Sequence, residues 1–271
     1  MTVSTYTTTS DPPPQPRRRP YKRVGFVDFL LGFLTDLVVI CAILLASFMV
    51  YVFAFMPVRA EGKQAEQTNQ LEQQWAPGPL KPQAPAQGIP RPAPHDAFAK
   101  LTVPRFGDDW SQAVVAGVTQ GDLRFGPGWY TDSQMPGEFG NFATAAHRDG
   151  SNAPYYDIDK LETCDEIRVE TAGGEWVYKV MPLNPGDPEQ KAKFAECAPH
   201  ATSKLDPKLY GTLPGQQIVD PSQVDVVNPV PNNTTNAKPS AALLTFTSCN
   251  PHWSNVQRMI VHAALESSSA R

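Results

Sequence analysis

Ala241-Ala-Leu-Leu-Thr-Phe-Thr-Ser-Cys249-Asn-Pro251-His-Trp-Ser-Asn-Val-Gln-Arg258 is the stretch on which the reading of this chain turns. Small, apolar and β-branched residues run up to Cys249 and read as a strand, and Pro251 breaks it into a loop. Arg258 then opens a second apolar run, Met-Ile-Val-His-Ala-Ala-Leu. A thiol ending one strand and a guanidinium beginning the next can share a cleft. Such a pair lacks a base, and Asn141 to His147, Asn-Phe-Ala-Thr-Ala-Ala-His, reads as another strand that carries an imidazole at its end.

Working outward, Lys100–Val103, Gln112–Val118, Glu166–Glu170, Trp176–Met181 and Met259–Leu265 also read as short strands separated by turn signals, Gly173-Gly174 among them. Few stretches keep a 3.6-residue period beyond two turns, which favours a β-sandwich or closed barrel over an α/β sheet. Lys191–Pro199 and Leu205–Leu213 read as helical turns within a weakly patterned region, Pro182 to Asn233.

The quoted residues carry a resemblance. Thr247-Ser248-Cys249 with Arg258 nine positions on resembles the Thr-x-Thr-Cys and arginine motif of the sortases, with serine for the last threonine. Ala146-His147-Arg148 is similar to the histidine motif of that family, with alanine where glycine is often found. Flanking stretches from Leu101 to Trp110, Phe125 to Gly128, Pro136 to Phe142 and Leu243 to Pro251 are most similar to the class E sortases. The resemblance covers roughly residues 97–266 and implies a mainly β fold, an eight-stranded barrel with short helices.

It also implies a cysteine transpeptidase of Gram-positive cell-wall anchoring. Cys249 would be the nucleophile, His147 the general acid and base, and Arg258 the group that holds the substrate backbone and the oxyanion. Arg258 and a protonated His147 would both favour the thiolate. Among the other histidines, His95 reads as solvated, His262 as packed in a strand, and His200 as without a clear role. His252, three residues after Cys249, is the rival base. Arg148 suits a surface ion pair. Class E resemblance implies Leu-Ala-x-Thr-Gly sorting signals over Leu-Pro-x-Thr-Gly. The implied partners are surface proteins bearing such signals and an amine acceptor of a lipid-linked cell-wall precursor, or a pilin lysine. A cysteine hydrolase and a non-catalytic surface scaffold stay open beside these readings. Cys164 stands where the family usually has a turn glycine, and pairing with Cys197 outside the cell is expected to tie the 182–233 region to the barrel.

No cofactor is implied. Cys249 and His252 have a metal-like spacing, but a structural zinc needs four ligands and no second pair is suitably spaced. A net charge of −4 without a basic, aromatic-rich patch argues against a nucleic-acid partner.

Thirteen of the 28 prolines fall before residue 95. Residues 1–23 read as a disordered tail carrying Arg17, Arg18, Arg19, Lys22 and Arg23. Residues 24–56 read as a membrane segment, with the uncharged run Leu37–Met56 long enough to span about 30 Å of hydrocarbon. Basic residues before the span predict a cytoplasmic N-terminus and an extracytoplasmic catalytic domain, in a single-pass cell-membrane protein. Residues 57–97 read as a Pro/Gln-rich spacer with a short polar helix at Gln64–Trp75, and 98–271 as the catalytic domain.

Overall fold

The computed structural model describes residues 25–75, 81–82, 90–150 and 152–270. The basic tail, and most of the stretch expected to be extended between Pro77 and Pro94, lie outside the described residues. The chain divides into two units at Phe48 and Met49.

The first unit holds most of helix α1, Phe26–Val50. Its apolar side chains are exposed all round, Phe29, Val38 and Leu44 among them, the pattern of a helix whose partner is hydrocarbon rather than a protein core. Its 25 residues span about 37 Å at about 1.5 Å per residue, so it is long and apolar enough to cross a membrane. The helix begins well before Leu37, and the run expected to span continues through a π-helical turn, Tyr51–Phe55.

In the second unit, α2 (Met56–Gln74) precedes β1 (Lys81–Pro82), β2 (Ala97–Thr102), β3 (Ser111–Ala116), β4 (Gly128–Trp129), β5 (Gly140–Ala145), β6 (Glu166–Thr171) and β7 (Gly174–Val180). Three short helices follow, α3 (Pro188–Cys197), α4 (Pro199–Lys204) and α5 (Pro207–Tyr210), then β8 (Gln216–Val219), β9 (Ala242–Asn250) and β10 (Gln257–Ala270). Strands β10, β7, β6, β2, β3, β4, β5 and β9 pair in that order, and β9 pairs back onto β10 to close the barrel. Strand β10 is long enough to serve both ends of the ring: residues from Gln257 to Ala264 pair with β9, and Leu265 to Ala270 with β7. Its outer edges also take β8 and β1.

Inside lie Leu101, Val114, Trp129, Phe142, Ile167, Tyr178, Leu244 and Phe246, all buried. Phe246 stacks on Tyr155 with centroids 4.5 Å apart. Strand β9 is apolar on both faces because Leu243 points the other way, into a second cluster with Phe194, Tyr210 and Leu213 under the three helices. A strand covered on both sides reads as a continuous apolar run instead of an alternating one. This is why the stretch before Cys249 was so legible.

Cys164 and Cys197 form a disulfide, which fixes the end of α3 to the turn before β6. The turn holds Cys164 at φ +81°, a backbone conformation that glycine adopts without strain.

The helix expected at Gln64–Trp75 is longer, and part of the stretch read as spacer packs on the barrel. Only two residues of β3 pair with β4, Val115 and Ala116, so the strand's outer edge is bare nearer its start. The Gln64 carboxamide substitutes for a strand there. Its Oε1 accepts the Ala113 N–H at 2.7 Å and its Nε2 donates to the Ala113 carbonyl at 3.3 Å. Leu71 and Trp75 close over Ala113 below it.

Candidate active site

Three neighbouring strands, β5, β9 and β10, lead to the three candidate residues. Strand β5 runs parallel to β9 in the register Gly140 with Ala242 through Ala145 with Thr247. The Ala146 N–H then bonds the Thr247 carbonyl at 3.2 Å, and the Ser248 hydroxyl donates to the Ala146 carbonyl at 2.8 Å. His147 and Cys249 each lie two residues past the last pair of this ladder. Across the antiparallel β9–β10 ladder, Cys249 and Arg258 are direct partners, which puts their side chains on the same face. All three are half-buried, as a site that meets a substrate requires.

Desolvation holds the His147 imidazole below its ordinary value. Such a shift disfavours the imidazolium, while the Arg258 guanidinium keeps its positive charge beside Cys249. No hydrogen bond joins His147 to Cys249 among the described residues. The Arg258 Nη1 donates to the Asn255 and Gln257 carbonyls at 2.8 and 2.9 Å. Its Nε and Nη2 make no hydrogen bond among the described residues, so that edge of the guanidinium can take a carbonyl oxygen. Thr247 braces the strand from below, its hydroxyl 3.0 Å from the Tyr130 hydroxyl and 3.2 Å from the Thr144 carbonyl.

The other histidines are engaged elsewhere. The rival, His252, has its Nδ1 2.7 Å from Asp149 Oδ1, and its ring lies against Tyr156. Asp149 Oδ2 also accepts the Trp253 N–H at 2.8 Å, so His252 fastens the loop after Cys249 to the segment after His147. His262 is packed as expected: fully buried, 2.8 Å from the Thr245 hydroxyl and pushed down to about 3 by desolvation. His95 is exposed, as expected, and its Nδ1 also meets the buried Asp122 carboxylate at 2.6 Å. The backbone N–H of His200 bonds Glu266.

Arg148 does pair with an exposed acid, but from a buried position that its charge did not suggest. Its side chain is 3% exposed, and its Nη1 donates to Asn250 Oδ1 at 2.6 Å while Nη2 meets Asp159 at 2.9 Å. A charged residue within a motif is weak grounds for expecting burial, since arginine is almost never buried unless paired. Its partners come from distant parts of the sequence.

The comparisons with known proteins agree with this architecture. A sortase domain family model matches residues 101–266. The chain is 26% identical over 235 residues to sortase SrtE1 of Streptomyces coelicolor, a match covering 83% of this chain and 54% of that protein, so it spans about half the length of this relative. It is 26% identical over 258 residues to SrtE2 of the same organism, covering 92% of this chain and 86% of that protein. Among solved structures, the SrtF sortase of Corynebacterium diphtheriae is 36% identical with a TM-score of 0.63, covering 69% of this chain and 92% of that one.

Proposed function

Because the chain belongs to the sortase family, we propose that it is a membrane-anchored transpeptidase that cuts a C-terminal sorting signal between threonine and glycine and passes the acyl group to an amine. The observation that carries this reading is the pairing of Cys249 with Arg258 across the β9–β10 ladder, with His147 two residues past the end of the β5–β9 register.

In this mechanism the neutral His147 takes the Cys249 proton as sulfur attacks the threonine carbonyl. The carbon–sulfur bond forms, and the free edge of Arg258 stabilises the oxyanion. Collapse breaks the peptide bond, and the imidazolium gives its proton to the leaving glycine amine. An incoming amine then attacks the thioester, His147 accepts its proton, and the thiol is regenerated. The resemblance to class E supports Leu-Ala-x-Thr-Gly as the signal and a lipid-linked cell-wall precursor as the source of the amine. Helix α1 supports the anchor, and the basic tail supports a cytoplasmic N-terminus with the barrel outside. Both substrates would then be held at the same membrane as the enzyme.

The test uses the full chain in detergent with Leu-Ala-x-Thr-Gly and Leu-Pro-x-Thr-Gly peptides and an amine acceptor, read by mass spectrometry beside Cys249→Ala. The expected result is cleavage after threonine with the acceptor joined, absent in the variant. Release of the free acid alone, with acceptor in excess, would make the protein a hydrolase. A lysine-bearing pilin peptide accepted in preference to a cell-wall amine would make it a pilin polymerase. No cleavage with an unreactive Cys249 would reduce it to a scaffold.

A further inference from the structure

Behind the three candidate residues runs a chain of side chains drawn from their immediate neighbours. Arg148 follows His147, Asn250 follows Cys249, and Gln257 precedes Arg258. Successive residues of a strand point to opposite faces, so Asn250 and Gln257, partners on the ladder, lie on the face opposite Cys249 and Arg258. The Arg148 Nη1 donates to Asn250 Oδ1 at 2.6 Å. The Asn250 Nδ2 donates to Gln257 Oε1 at 3.2 Å. The Gln257 carbonyl accepts Nη1 of Arg258 at 2.9 Å. At the other end Asp159, half-exposed, holds Nη2 of Arg148 at 2.9 Å.

Stability alone is a poor reason for this arrangement. Arg148 is a nearly fully buried cation whose Nε has no hydrogen-bond partner, and its counter-ion is 44% exposed. Desolvating a charge this incompletely paired offsets much of the attraction it gains, and an apolar side chain of similar size often does as well. What an apolar side chain cannot do is fix three backbones in register with directional bonds. The β5–β9 ladder ends at Ala145 and Thr247, so no ladder pair ties His147 to Cys249.

We propose that Arg148, Asn250 and Gln257 are positioning residues that set the mutual placement of His147, Cys249 and Arg258, with Asp159 as their anchor. Their part in turnover rests on the transpeptidase reading above. Their effect on the thiol does not. A bidentate guanidinium is required, because a lysine at 148 reaches Asn250 or Asp159 but does not span both.

The experiment compares full-chain wild type with Arg148→Met, Arg148→Lys, Asn250→Ala and the Arg148→Met/Asn250→Ala pair. Two readouts are taken: steady-state acyl transfer, and the pH profile of Cys249 alkylation by iodoacetamide, which needs no peptide substrate. Misplacement of a reacting group by about 1 Å costs on the order of 100-fold in rate. The expected result is a kcat lower by about that factor in Arg148→Met and in Asn250→Ala, with KM little changed. The alkylation profile should be displaced in both, and the pair should lose less than the product of the two single losses, because the two variants share the Arg148–Asn250 bond. Arg148→Lys should recover only part of the loss. Wild-type kcat and alkylation in a folded Arg148→Met would overturn the proposal, as would losses that simply multiply in the pair. Should Arg148→Met fail to fold, Asn250→Ala and Arg148→Lys decide by the same two readouts. Should the wild type cleave neither peptide, the functional reading fails while the alkylation profiles still decide this one.

Discussion

Arg258 stands directly opposite Cys249 on the β9–β10 ladder, yet one of its two terminal nitrogens is held by carbonyls of the loop that joins them. The loop thus orients the fork and leaves its other edge for substrate. If that edge stabilises an oxyanion, Arg258→Lys keeps the charge and loses the geometry. The expected loss in kcat is on the order of 100-fold to 1000-fold, with alkylation of Cys249 retained. Steady-state transfer kinetics with a peptide substrate checks this, and a lysine variant within a few-fold of wild type would reduce Arg258 to a simple counter-charge.

The half-buried His147 should titrate below the ordinary histidine value of 6.5, because desolvation disfavours its charged form. The sign for stability follows. The unfolded chain takes up this proton more readily than the folded one, so the folded state loses stability as pH falls through 6.5 toward the folded value. NMR titration of the His147 ring in Cys249→Ala, which removes coupling to the thiol, should give a midpoint below 6.5. A midpoint at or above 6.5 would show that burial does not govern this ring's titration.

How much of this was legible in the sequence depended on range. The strands ending at His147 and Cys249 announced themselves because β5 and β9 are buried along nearly their whole length. Strand β4 did not: its two residues, Gly128 and Trp129, pair with neighbours on both sides but are too few for any periodicity. Strand β8 reads Gln-Gln-Ile-Val and pairs with β10 alone, so its polar, half-exposed residues give no alternating signal. Of the site residues named by motif, Cys249 and Arg258 are paired directly by ladder register. Arg148 was missed because its burial depends on Asn250 and Asp159, contacts that local composition does not encode. Helix α2 was read as spacer for the same reason. Its composition is polar, and what docks it is Gln64, Leu71 and Trp75 meeting β3 and an ion pair from Glu72 to Lys100 on β2.

The Cys164–Cys197 disulfide closes a loop with a sequence separation of 33. By the chain-entropy account it contributes about 3 to 4 kcal/mol, and Cys164→Ala/Cys197→Ala should lower the urea midpoint accordingly. The left-handed backbone at residue 164 adds a finer expectation. Cys164→Gly/Cys197→Ala should be more stable than the double alanine by about 1 kcal/mol, since an alanine pays a steric cost at positive φ that glycine does not. Equal urea midpoints for the two pairs would mean that the turn relaxes once the bond is gone.

The docking of α2 makes a separate claim about the barrel edge. Gln64 is the only described side chain hydrogen-bonded to the Ala113 backbone, and Gly126 leaves the room it needs, because a Cβ at that position would lie 1.8 Å from the Gln64 Nε2. Replacing Gln64 with leucine keeps much of the volume and leaves a buried N–H and carbonyl unpaired, at a cost of about 1 to 3 kcal/mol for each group. The helix should then lift from β3 while the barrel stays folded. Hydrogen exchange should report this as faster exchange at Ala113 and through residues 56–75, with little change at β9 and β10. Gly126→Ala should reproduce the effect from the opposite side of the contact. Unchanged protection at Ala113 in both variants would show that Leu71 and Trp75 hold the helix without the amide, and acceleration throughout the barrel would show that α2 belongs to the folding unit rather than capping it.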